Sequence, residues 1–84
     1  MSEQMQLDGI YERLTPIFRE VFDDDTLVAT PTLVAAGVFG WDSLAHLRLI
    51  LAVERTFEVD FAVSEMSSLE NVAELATLIQ SKLQ

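Results

Sequence analysis

The side chains with the clearest chemical potential lie close together, at Asp42, Ser43 and His46. Ser43 follows a glycine-bent stretch, Gly40-Trp41-Asp42-Ser43-Leu44, which delivers its hydroxyl to the first turn of an apolar helix. Gly40 suits the bend because it tolerates backbone angles closed to other residues. By itself, an Asp-Ser pair ahead of a helix is a capping signal, since either side-chain oxygen can accept an unpaired amide N–H of the first turn. Ser43 and His46 are three residues apart, a spacing that lets side chains meet on a helix and suggests a hydrolase dyad. Such a dyad needs a carboxylate to orient the imidazole and an oxyanion loop, and the sequence places neither around Ser43. His46 is therefore expected to face solvent. No catalytic residue is expected, and Ser43 is the candidate functional residue.

Other chemistries find less support. With one histidine and no cysteine, carboxylates are the only abundant metal ligands, and none has a transition-metal spacing. Asp23-Asp24-Asp25 lacks the alternating ligands, the glycine and the final glutamate of a calcium loop, so it reads as a solvated stop to the preceding helix. No metal site is expected. Without cysteine the chain has no disulfide and no thiol of its own, so any thiol chemistry must use an imported thiol. Fourteen acidic and five basic residues give a formal charge of −9, which repels nucleic acid and anionic membranes and attracts basic protein faces. No secretory leader opens the sequence and no apolar run reaches the roughly 18 residues a membrane span requires, so a soluble cytoplasmic protein without membrane insertion is expected.

The elements that must position Ser43 follow from hydrophobic spacing. Leu7, Ile10, Leu14, Ile17, Phe18 and Val21 share one helical face between about Gln4 and Phe22. Their phase crosses Pro16 without slipping, so both halves face one core; one helix kinked at Pro16 is expected, the alternative being a new helix begun by Thr15-Pro16. From Thr26 to Trp41 no period is sustained, and a long loop is expected, packed onto the bundle by Leu27, Val28, Leu33, Val34, Val38 and Phe39, with a short helical turn near Thr32 to Ala36. A second helix should run from Ser43 to Phe57, its apolar arc of Leu44, Leu47, Ile50, Leu51 and Phe57 widened by Leu49 and Val53, so that it is either largely buried or serves a partner. Glu58 to Phe61 reads as an extended connector, because no second strand exists to pair with it. Ala62 to Met66 can form one helical turn. Ser67 and Glu70 offer a capping box for a last helix ending near Leu83, with Leu69, Val72, Leu75, Ala76, Ile79 and Leu83 on its inner face. The expected fold is all-α, an antiparallel bundle of three main helices plus one short helix, with a long loop between the first and second helices.

Gly40-Trp41-Asp42-Ser43-Leu44 resembles the Gly-x-Asp-Ser-Leu motif that opens the second helix of acyl carrier proteins. The long packed loop, the serine-led helix ending in Glu54-Arg55-Thr56-Phe57, the short turn and the last helix beginning near Leu69-Glu70-Asn71-Val72 follow that family from end to end. The resemblance implies a free-standing carrier domain over residues 1–84 whose Ser43 is esterified by 4′-phosphopantetheine, taken from coenzyme A by a phosphopantetheinyl transferase. Acyl groups would ride as thioesters on that arm, in fatty-acid, polyketide or specialised acyl-transfer biosynthesis. The protein would be a substrate and partner of enzymes rather than an enzyme. Asp42 would assist the transferase reaction, Gly40 would turn the backbone, and Leu44 completes the motif.

In two respects the chain departs from this family. The helix behind the serine, often strongly acidic in fatty-acid carriers, here carries Ala45, His46, Arg48 and Arg55, with Glu54 as its acidic side chain. Leu44, Leu47, Arg48, Leu51 and Glu54 are thus the expected docking residues, facing transferase, synthase or ligase enzymes with basic faces, and the carrier is expected to be a monomer. Trp41 is bulkier than the small residue often found before the aspartate; it could alter placement of the arm or simply pack. Two alternatives remain at this point: an aminoacyl or peptidyl carrier, and an unmodified acidic helical adaptor.

Overall fold

Sixteen residues from Leu7 to Phe22 form helix α1, whose buried Ile10, Leu14, Ile17 and Phe18 recur three or four apart. The computed structural model describes residues 6–34, 37–38, 40–67, 69 and 71–83. Helix α2 spans Ser43–Phe57, α3 spans Val63–Ser67 and α4 spans Val72–Leu83, with α1 packed against both α2 and α4. The core is continuous across these three helices: Ile10, Leu14, Phe18, Leu49, Ile50, Val53, Val72, Ala76 and Ile79 are fully buried. Burying side chains of this size removes each from water at a gain of about 1.5–3 kcal/mol, which is what holds so small a bundle together.

Helix α1 continues through Pro16, so the proline does not divide it. Proline cannot donate to the Glu12 carbonyl. One residue earlier, the Thr15 hydroxyl donates to the Tyr11 carbonyl at 3.1 Å and accepts the Ala29 amide at 3.0 Å, so it joins the loop to the helix beside the proline. Asp23 then closes α1 in the left-handed region, φ 52°, with its amide bonded to the Arg19 carbonyl. Asp24 accepts both the amide and the hydroxyl of Thr26, and these two bonds hold its carboxyl below the usual carboxylate range. The acidic run therefore stops the helix and turns the chain, and all three carboxylates are exposed.

The long loop is packed as its composition predicts, although only part of its apolar set goes inward. Ala29 and Val38 are buried and Leu27 and Leu33 lie against the core, whereas Val28 and Val34 are exposed. Hydrogen bonds to its carbonyls anchor it near its start and its middle, since Arg19 Nε donates to the Leu27 carbonyl at 2.8 Å and the Val72 amide donates to the Leu33 carbonyl at 3.0 Å. Of the helical turn expected near Thr32, Ala35 and Ala36 fall outside the described residues, as does Phe39. Among the described residues the only strand-like pairing is an isolated antiparallel bridge between Val34 and Asn71.

The end of the chain corrects one expectation. Glu70 of the expected capping box lies outside the described residues, and Ser67 ends α3, where its hydroxyl donates to the Ser64 carbonyl. Helix α4 is instead capped by Asn71, whose side-chain oxygen accepts the Glu74 amide at 2.8 Å. Asparagine at that position serves the first turn as well as serine would.

Candidate functional site

Ser43 is the first residue of α2, and the geometry before it is set by three neighbours. Gly40 takes φ 86°, where an added Cβ would touch nothing, so glycine is needed there for its backbone freedom and not for space. The Asp42 amide returns to the Gly40 carbonyl at 3.0 Å, closing the turn. Asp42 then caps α2 from extended backbone, its Oδ1 accepting the Ala45 amide at 2.9 Å while its carbonyl accepts the His46 amide at 2.8 Å. The cap is therefore aspartate. The Ser43 hydroxyl is left free of capping duty, on an exposed residue.

This arrangement suits attachment of an anion to Ser43. The amides of Ser43 and Leu44 have no partner within the helix, and the helix dipole places partial positive charge at the same end. A phosphate on Ser43 Oγ would stand beside that field. The Asp42 carboxylate opposes it, but its capping oxygen is directed at Ala45. A hollow of about 520 Å³ borders Ser43 with Trp41, Asp42, His46, Ser67 and Leu69, and a smaller one of about 190 Å³ adjoins it with Leu47, Val63 and Met66.

Trp41 packs: its indole meets Phe18 edge-on at 5.6 Å and Phe22 at 5.4 Å between ring centroids. That contact seats the residue two before Ser43 on α1. The expectation of a solvent-facing His46 is overturned. His46 is half-buried, stacked on Trp41 at 6.1 Å, and bonded at both ring nitrogens: Trp41 Nε1–H donates to Nδ1 at 3.1 Å, and Nε2 lies 2.8 Å from the Met66 carbonyl. Solvent exposure failed as a reading because the aromatic five residues earlier and a carbonyl twenty residues later are brought to one point only by the fold. The same two bonds occupy the imidazole, so it is not available to Ser43 as a base.

The remaining expected residues divide. Leu44, Leu47 and Leu51 are 60%, 46% and 49% exposed, and Arg48 is exposed beside them, so these four share one outward face of α2. Leu49, Ile50, Val53 and Phe57 form the opposite, buried face. The single wide arc expected for this helix is thus two arcs, one for the core and one free. Glu54 does not join the outward face: it is half-buried and its Oε2 accepts the Phe61 amide at 2.9 Å, fixing the connector after α2. Among the described residues no group of three or more acids or histidines could hold a metal ion.

Comparison with known proteins bears on all of this. Residues 12–79 match the family described as the phosphopantetheine attachment site. The fold is similar to the solution structure of a holo acyl carrier protein from Geobacter metallireducens, with 44% sequence identity, a TM-score of 0.83, and coverage of 89% of this chain and 86% of that one.

Proposed function

This chain belongs to the phosphopantetheine-attachment family of acyl carrier proteins, and from that premise we propose that Ser43 is the serine that bears its 4′-phosphopantetheine. The protein is a carrier and not an enzyme, and phosphopantetheinyl transferases and acyl-handling enzymes are the partners its family implies. The observation that carries the assignment is the division of labour at the start of α2, where Asp42 caps the helix and leaves an exposed seryl hydroxyl beside unpaired amides. In the transferase reaction the Ser43 oxygen would form the phosphodiester as the pyrophosphate bond of coenzyme A breaks and its nucleotide half leaves. The arm supplies the thiol that the cysteine-free chain lacks, and acyl groups ride on it as thioesters.

The role we assign is acyl transfer within fatty-acid, polyketide or specialised acyl biosynthesis, by a monomeric domain over residues 1–84 in the cytoplasm. The helix behind Ser43 favours the specialised carrier, aminoacyl carriers included. Its outward face offers Leu44, Leu47 and Leu51 with Arg48 at the rim, while Glu54 is spent on Phe61. A carrier that must engage many basic partners through one acidic helix would not be built this way. Incubation with coenzyme A, magnesium and a broad-specificity transferase should add one arm, seen by mass, and Ser43→Ala should abolish the addition. An arm added to Ser43→Ala, or none added to the wild type by several transferases, would refute the assignment.

A further inference from the structure

We propose that His46 is a positioning residue for the serine turn: a strap of Trp41, His46 and Met66 ties α3 to the start of α2, and it holds only while the imidazole is uncharged. The inference rests on Ser43 being the attachment point for its consequence, but not for its geometry. Indole Nε1–H can only donate, so the 3.1 Å contact requires a bare Nδ1 on His46. A neutral ring with a bare Nδ1 carries its proton on Nε2, which then donates to the Met66 carbonyl at 2.8 Å. Both contacts are satisfied by one tautomer and by no other protonation state.

The strap matters because α3 is short and joins the start of α2 through it. It is five residues long and has no buried side chain, and a helix that short is not stable on its own. Its other ties include the packing of Met66 against the core, the Glu65 and Met66 amides bonded to the Ala62 carbonyl, the Ala62 amide bonded to the Glu65 carboxylate, the Leu69 amide bonded to the Met66 carbonyl, the Ser67 hydroxyl bonded to the Ser64 carbonyl, and the ion pair of Glu65 with Lys82 at 3.0 Å. His46 and Ser67 line both hollows beside Ser43, so loss of the strap alters the surroundings of the serine.

Protonation of Nδ1 sets N–H against N–H at Trp41 and breaks the first contact. The strap is therefore present while the imidazole is neutral and lost once it is charged. The charged groups on the surrounding elements are Asp42 and Arg48 on or before α2, Glu65 on α3 and Asp23 at the end of α1. Asp42 is engaged with Ala45 and Glu65 with Ala62 and Lys82, while Asp23 and Arg48 are exposed.

The test uses the unmodified protein and three variants. Long-range proton–nitrogen spectra at pH 8 should show His46 bare at Nδ1 and protonated at Nε2; the opposite tautomer would overturn the proposal. On acidification until the same spectra show the His46 ring charged, exchange at the Met66 amide, corrected for its intrinsic rate, should accelerate about two- to tenfold, the loss of one hydrogen bond. His46→Gln, whose amide oxygen can accept from Trp41 while its nitrogen donates to Met66, should lose this acid response, and Trp41→Phe should weaken it. An equal response in wild type and His46→Gln would overturn the strap. Modification by the transferase should slow about two- to tenfold in His46→Ala and recover in His46→Gln, and unchanged rates in both would overturn the positioning role. Because tautomer and exchange are read without the arm, failure of the strap is distinguishable from failure of Ser43 as the attachment point.

Discussion

At the scale of single residues, the start of α2 assigns different work to two adjacent polar side chains. Asp42 accepts the Ala45 amide and so stabilises the helix, whereas Ser43 is exposed and free to be modified. The two roles of Asp42, cap and helper of the transferase, separate by substitution. Asparagine caps about as well as aspartate, so Asp42→Asn should keep stability within about 0.5 kcal/mol, while Asp42→Ala should cost about 1 kcal/mol. If the charge assists the reaction, modification by the transferase slows in both variants; an Asp42→Asn protein modified at the wild-type rate would leave capping as its whole contribution. In the sequence, the serine proposed here for attachment carries locally only a capping signal, and the resemblance of the whole chain to the carrier family is what singled it out. The role of His46 was not legible, since its partners Trp41 and Met66 are joined to it by tertiary packing, and a lone histidine on a helix carries no local mark of either contact.

Helices and connectors were legible in proportion to how far periodicity governs them. α2 begins and ends at the expected Ser43 and Phe57, and α1 runs through Pro16 because residues on both sides of it share one buried face. The cap of α4 was misplaced, since the expected capping box began at Ser67, which ends α3, whereas Asn71 caps the helix. Apolar spacing also could not separate the two faces of α2, because both are leucine-rich. Their energetics now differ sharply. Leu47→Ala, at 46% exposure, should leave stability within about 0.5 kcal/mol of wild type yet slow modification and acyl transfer. Ile50→Ala, fully buried one turn away, should cost about 2–5 kcal/mol. Thermal unfolding measured alongside transfer kinetics checks both; a Leu47→Ala protein destabilised like Ile50→Ala would mean that the outward face belongs to the core.

For the whole molecule, charge is the dominant long-range property. The formal charge is −9, but Asp42 to Phe57 contains two acids and two arginines, so the excess resides elsewhere, including the exposed Asp23 to Asp25. Self-repulsion of this kind opposes folding of a small core, and salt limits its reach to about 8 Å at physiological ionic strength. The melting temperature should therefore rise as salt is raised from very low levels; a flat or falling curve would show that repulsion is not a significant cost. On the function proposed here, the same acidity would steer a basic enzyme toward the carrier, and the near-neutral face behind Ser43 would govern how long it stays. The proposed function depends on where the arm is placed. After modification by a phosphopantetheinyl transferase, fragmentation mass spectrometry should locate a single arm on Ser43 and none on Ser2, Ser64, Ser67, Ser68 or Ser81. An arm on any of those serines, or a wild-type protein that takes none, would contradict the account.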